Sequence, residues 1–205
     1  MARPTQHDSE RTRARIVDAA VLSFSAEGFS AMTTRRLAEA AEVNVATLSY
    51  HFGSKEGVYR ACVDAVYTRL TDRAVDLLPT LMEATPEVMM RAIYRLAREE
   101  QAGVRLLLRE VLDHGRLTAT TEEAHFLPGI EQYAGMLDHL PAALRPDSPT
   151  HARLAVVSVG FLVSRFATMD EDSLQHALGV PDRADVEDAV VRALTRTALS
   201  LVRSP

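Results

Sequence analysis

At 205 residues with 47% hydrophobic side chains, the chain has the composition of a folded globular protein, long enough for one large domain or a small head on a larger body. Its net charge of −5 excludes a bulk polyanion binder, but the charge is uneven: residues 1–60 hold eight basic and seven acidic side chains, a net of +1, and residues 61–205 hold fifteen and twenty-one, a net of −6. Any nucleic-acid contact must come from a local surface on the first segment, and the single cysteine, Cys62, excludes an intrachain disulfide and a cysteine zinc cluster.

Residues 1–8 read as a polar, flexible arm without the apolar stretch of a signal peptide. The longest apolar run, Leu154 to Ser164, is about half of what a bilayer span needs, so the expected location is the cytoplasm. Asp8 or Ser9 opens a helix to about Glu27 with a buried stripe of Ile16, Ala20 and Phe24. Gly28 stands where a left-handed residue ends such a helix, and Phe29 can fold back onto it. Thr33 caps a short helix that turns Leu37, Ala38 and Ala41 inward; Glu42-Val43 makes a turn; Asn44 caps a second short helix, Val45 to His51. Two short helices joined in this way form a helix-turn-helix, whose second helix enters the major groove of DNA.

Beyond it, Ser54 caps a long helix from Lys55 to about Leu78, ended by Pro79. Pro86 opens a helix over Glu87–Gln101, and Gly103 separates it from Val104–His114. A polar loop, Arg116–Thr121, leads to a helix reaching Leu140 with a kink at Pro128. Pro141–Pro149 reads as a linker, His151–Met169 as the most apolar helix, Leu174–Gly179 as a short turn, and Asp182 or Asp185 caps a last helix to about Val202. Strand signals are missing, so the expected fold is all-α, about nine helices. The chain divides into a DNA-binding head over residues 1–54 and a larger helical body over residues 55–205, to which the resemblance below assigns effector binding and dimerisation.

An ordered set of residues carries a family likeness: Ile16-Val17-x-Ala19-Ala20, Phe24-x-x-x-Gly28-Phe29, Thr33-Thr34, Leu37-Ala38, Ala41-x-Val43 and Thr47-Leu48-x-x-His51-Phe52-x-Ser54-Lys55-Glu56. Over about residues 11–62 the chain resembles TetR-family transcriptional regulators; the remainder resembles them only in length and helix content. The resemblance implies that Thr33, Thr34 and Arg35 approach the DNA backbone or groove edge. It implies that Asn44, Val45, Ala46, Thr47, Ser49, Tyr50 and His51 occupy recognition-helix positions, and that Lys55, the only lysine, contacts a phosphate. These residue types suit the roles: hydroxyls bond phosphates or base edges, Val and Ala pack on thymine methyls, and a lysine at a helix N-terminus favours phosphate. Glu42 replaces the family's usual turn glycine, Ala46 a usual glycine or proline, and Ser49 a usual tyrosine, so no relative's operator sequence can be borrowed.

The resemblance also implies a homodimer through the last two long helices and a small-molecule effector bound in the body. The helix His151–Met169 is apolar nearly all round, which calls for burial on more than one side. Candidate effector contacts are Tyr67, Met90, Tyr94, Phe126, Tyr133 and Phe161, with Arg109, His125 and Arg165 as polar anchors. Arg165, within an aliphatic helix, needs a carboxylate partner or an anionic ligand. No cofactor and no metal are expected, since the seven histidines show no HExxH or metal-ligand spacing, and neither GxSxG nor a glycine-rich phosphate loop occurs. The expected function is therefore a ligand-released repressor acting as a homodimer on a palindromic operator, and not an enzyme. The alternative is a helical adaptor that binds protein through its apolar penultimate helix. Specific, salt-sensitive DNA binding separates the two, and turnover of a small molecule would favour an enzyme.

Overall fold

The computed structural model describes residues 6–81, 84–114, 122–138 and 145–202. Ten α-helices occur among them and no strand: α1 Gln6–Glu27, α2 Thr34–Ala40, α3 Val45–Phe52, α4 Lys55–Leu81, α5 Pro86–Glu99, α6 Gln101–His114, α7 Leu127–Leu137, α8 Pro149–Thr168, α9 Glu171–Leu178 and α10 Val186–Val202. A π-helical turn, Glu122–Phe126, precedes α7, and a 3-10 turn, Arg183–Asp185, precedes α10. No single helix among the described residues is long and apolar enough to cross a membrane.

The chain forms two compact units, one of Met1–Arg69 with Ala102–Leu117 and the other of Leu70–Gln101 with Thr118–Pro205. The head expected over residues 1–54 falls within the first unit, which also takes the start of α4 and most of α6. Its core is the predicted α1 stripe, with Ile16 and Phe24 fully buried, closed by Leu37, Leu48, Val58, Cys62 and Val66, each likewise at 0% exposure. Phe24, Phe29 and Tyr59 form an aromatic cluster: Phe29 stacks on Phe24 at 5.9 Å, and Tyr59 meets both edge-on at 5.1 Å. Phe29 therefore does fold back onto the end of α1. Cys62 donates its thiol to the Val17 carbonyl at 3.6 Å, and burial pushes its pKa up to about 12.

In the second unit α5, α7, α8 and α10 pack together. Val190, Val191, Leu194, Leu174 and Tyr94 fill the interior, and α8 turns only small side chains and Val163 fully inward, namely Ala152, Ala155 and Ala167. Arg98 reaches the C-terminus of α8, donating to the carbonyls of Ala167 and Met169 at 3.3 and 2.8 Å and to Glu171 at 3.0 Å. A guanidinium there satisfies carbonyls that a helix end leaves unpaired and complements its dipole.

Several boundaries differ from the sequence reading. α4 runs on to Leu81 through Pro79, which stands in the last turn and forfeits one bond to the helix behind it. The break between α5 and α6 falls at Glu100, and Gly103 lies inside α6. Its hydrogen side chain is a packing requirement: a Cβ there would come within 2.8 and 2.9 Å of the two Val66 methyls on α4. The irregularity near Pro128 is the π turn ahead of it, which spreads the chain before a proline that suits the first turn of α7. The end of that helix at Leu140, the whole loop Arg116–Thr121, part of the linker Pro141–Pro149 and residues 1–5 of the arm lie outside the described residues. Because α4 and α6 touch through Gly103, Gly103→Ala is expected to destabilise the chain by about 1–3 kcal/mol, read from the denaturation midpoint. Wild-type stability in that variant would show that the two helices separate freely.

Candidate nucleic-acid interface

The α2–α3 pair is built by its caps. The Thr33 hydroxyl accepts from the Arg36 N–H at 3.2 Å, and the Asn44 Oδ1 accepts from both the Thr47 N–H at 2.7 Å and the Thr47 hydroxyl at 3.0 Å. The turn between them is a left-handed helix ending. The Val43 N–H bonds the Ala38 carbonyl at 2.9 Å, the Glu42 N–H bonds Glu39 at 3.1 Å, and Glu42 sits at φ 53°. The same motif ends α9, where the left-handed position is Gly179 at φ 63°. The substitution noted at Glu42 is thus met by forcing a side chain into the conformation that glycine takes without strain.

This turn aims α3. Leu48 is fully buried against the head while Val45 is 42% and Tyr50 84% exposed, with Ala46 and Ser49 exposed beside them. His51 is half-buried, its ring 5.2 Å from Tyr50 and 6.1 Å from Phe52. Thr33, Asn44 and Arg35 are exposed, and Thr34 and Thr47 half-buried. Arg35 makes an exposed i,i+4 pair with Glu39 at 3.1 Å, an arrangement worth little in water.

The cations divide into structural and available. Arg36 binds both carboxylate oxygens of Glu27, at 2.6 and 2.7 Å, and the Ala31 carbonyl at 3.1 Å, which fastens α2 to the end of α1. The Lys55 ammonium donates to the carbonyls of Phe29 and Met32, both at 3.1 Å, and lies 4.0 Å from the Phe29 ring centroid. Two of its three donors are committed inward, leaving one for a phosphate. Arg13, which the sequence reading passed over, lies with its guanidinium 5.1 Å from the Phe52 ring at the end of α3. The RTRAR run offered no hint of this, because only the tertiary fold brings α1 beside Phe52.

The nine effector candidates divide between the units. Tyr67 and Arg109 belong to the first. There Arg109 donates to the Ala26 carbonyl at the end of α1 at 3.0 Å, and burial, followed by the charge of Glu110, pushes the Tyr67 phenol up to about 12. In the second unit Met90 and Tyr94 are core, Tyr133, Phe126 and His125 are half-buried, and Phe161 and Arg165 are exposed. Arg165 lies opposite the small-residue face that α8 buries and is exposed in the single chain. Tyr94 lines a cleft of about 420 Å³ with Arg98, Glu171, Arg183, Ala184, Val186 and Glu187. Its charges answer one another: Glu171 meets Arg183 at 2.7 Å and Arg98 at 3.0 Å, and Arg183 first, then Arg98, holds the Glu171 carboxyl below its usual range.

Two substitutions test the head. Glu42→Gly relieves the left-handed strain and is expected to stabilise the chain by about 1 kcal/mol, a rise of roughly 2–4 °C in Tm. Lys55→Ala removes two charge-assisted bonds and is expected to cost about 2 kcal/mol in chemical denaturation. A loss below about 0.5 kcal/mol would mean that solvent replaces those contacts freely.

Residues 16–62 match the sequence model of bacterial regulatory proteins of the tetR family. The chain is 30% identical over 86 residues to the probable HTH-type transcriptional regulator YttP of Bacillus subtilis, covering 40% of this chain and 41% of YttP. It is 49% identical over 53 residues to the HTH-type transcriptional regulatory protein RaaS of Mycobacterium tuberculosis, covering 26% of this chain and 24% of RaaS. These matches span about two-fifths and about a quarter of the relatives' own lengths. The whole fold is similar to that of the TetR-like regulator LfrR of Mycobacterium smegmatis, solved in complex with proflavine, with a TM-score of 0.63 at 19% identity over 96% of this chain and 98% of that one. The family and these relatives are regulators of transcription, not enzymes. Through residues 16–62 and the ordered residues that build it, the head is similar to the tetR family of bacterial regulatory proteins.

Proposed function

We propose that the chain is a cytoplasmic, sequence-specific DNA-binding regulator of transcription that works as a homodimer and releases its operator when a small molecule binds, a repressor. The observation that carries the DNA reading is the outer face of α3. A tyrosine 84% exposed, beside Val45, Ala46 and Ser49, stands on a helix whose inner face is locked by Leu48. An aromatic ring held in water on a rigid, capped helix suits a partner surface, and the second helix of a helix-turn-helix presents that face to the major groove.

The homodimer is supported by α8. Its larger side chains Leu154 and Phe161 are 55% and 44% exposed with Gly160 exposed between them, while alanines occupy the buried side. A second copy would cover this face with its own α8 and α10 and set two recognition helices about 34–36 Å apart. Effector binding is supported by the proflavine complex of LfrR. In this chain α4 starts beside the recognition helix and continues into the second unit, so an effector in the body can act on the head through one continuous helix. It must favour the DNA-incompetent state by about 1.4 kcal/mol for each tenfold loss of operator affinity.

Among the described residues, phosphate contacts fall to Arg13, Arg35 and the remaining donor of Lys55, since Arg36 is spent on Glu27. Binding to a duplex selected from random sequence is therefore expected to be specific, at two chains per site. The slope of log K against log salt should be no steeper than about −5, or about −0.9 for each neutralised phosphate. Equal affinity for selected and random duplexes would overturn the regulator reading in favour of the adaptor. A mass measurement giving a monomer at micromolar concentration would overturn the homodimer, and transcription rising on addition of the protein would overturn repression.

A further inference from the structure

The groove-facing surface of α3 is short of the groups that usually read bases. The helix, Val45 to Phe52, contains no Arg, Lys, Asn or Gln, so none of its side chains can make the two-point contact that selects guanine or the one that selects adenine. Asn44, just ahead of it, is the nearest amide. Its Oδ1 already accepts two bonds, from the Thr47 N–H at 2.7 Å and the Thr47 hydroxyl at 3.0 Å, which fill both acceptor positions of that oxygen. A two-point contact to adenine needs that oxygen to accept from the base amino group. The Thr47 hydroxyl spends its proton in the same cap.

What α3 presents fully exposed is apolar or simply hydroxylic, the His51 imidazole being half-buried beside Tyr50. The Val45 methyls, the Ala46 methyl and the Tyr50 ring lie outward, with the Ser49 and Tyr50 hydroxyls between them. A hydroxyl both donates and accepts, so it discriminates weakly among base edges. An exposed methyl or ring discriminates strongly for one feature of the major groove, the C5-methyl of thymine. We infer that this head recognises thymines through their C5-methyl groups, with Val45, Ala46 and Tyr50 as the specificity-determining residues. The inference rests on the DNA-binding reading above and goes beyond it by naming the chemistry that is read. It carries a second consequence: 5-methylcytosine, which offers the same methyl in the same groove, replaces a contacted thymine better than cytosine does.

The test starts from duplexes selected from a random pool by the full-length protein and then remade with deoxyuridine for individual thymidines. At each contacted position the loss of one buried methyl is expected to lower affinity about fourfold. Uridine at flanking positions should leave binding unchanged. Val45→Ala, an exposed substitution that leaves the fold intact, should weaken binding to the thymine duplex but add little on the uracil duplex. A merely structural role for Val45 would weaken both equally and overturn its assignment. At a contacted thymine of the selected site, a cytosine–guanine replacement should bind more tightly when the cytosine carries a C5-methyl than when it does not. Full affinity on a duplex with every thymine replaced by uracil, or a selected half-site held by guanines alone, overturns the inference while leaving the regulator reading standing. Failure to enrich any sequence overturns the regulator reading itself, and this inference with it.

Discussion

The Lys55 ammonium sits where three parts of the head meet. It holds the carbonyls of Phe29 and Met32 and faces the ring of Phe29, which is itself clasped between Phe24 and Tyr59. Through these contacts the start of α4, the loop after α1 and the end of α1 become one rigid base. Only Gly53 and Ser54 separate α3 from α4, so the angle at which the recognition helix leaves the protein is inherited from that base. A charge used in this way gives up part of its electrostatic reach toward DNA for positional definition, and specific recognition depends on that definition more than on raw attraction.

The same economy governs the arginines. Arg36 on Glu27, Arg109 on the α1 carboxyl end and Arg98 on the end of α8 each bind helix-terminal carbonyls or a carboxylate, as fasteners between elements. A chain of mildly acidic net charge that also places its cations internally has little general affinity for polyanions. Its selectivity must come from shape and apolar fit, which agrees with the uncharged outer face of α3.

Features determined within one turn of chain were legible in the sequence. The caps Thr33, Asn44 and Ser54, the α1 stripe, the helix ending at Gly28 and the anomalous Glu42 all express local geometry, and each appears as read. Features that depend on a distant neighbour were not legible. Gly103 looks like a helix breaker until Val66 is seen against it, Arg13 looks like part of a solvated run until Phe52 is beside it, and Lys55 looks like a free cation at a helix start. The aliphatic letters around Arg165 suggested burial, but within a single chain α8 faces inward through its alanines and not through that side. Effector contacts are not legible for the same reason: aromatic and methionine content is shared by cores and binding sites, and periodicity does not tell them apart.

The isolation of Cys62 has a consequence for how the head can be watched. With its thiol bonded to Val17 and its pKa pushed up to about 12, it has almost no thiolate at neutral pH and is sealed from reagents by α1. Oxidants therefore have no sulfur handle of that kind on the head while it is closed. The rate at which Cys62 is alkylated becomes a clock for the opening of α1 from α4, a probe of the head's breathing that needs no engineered residue.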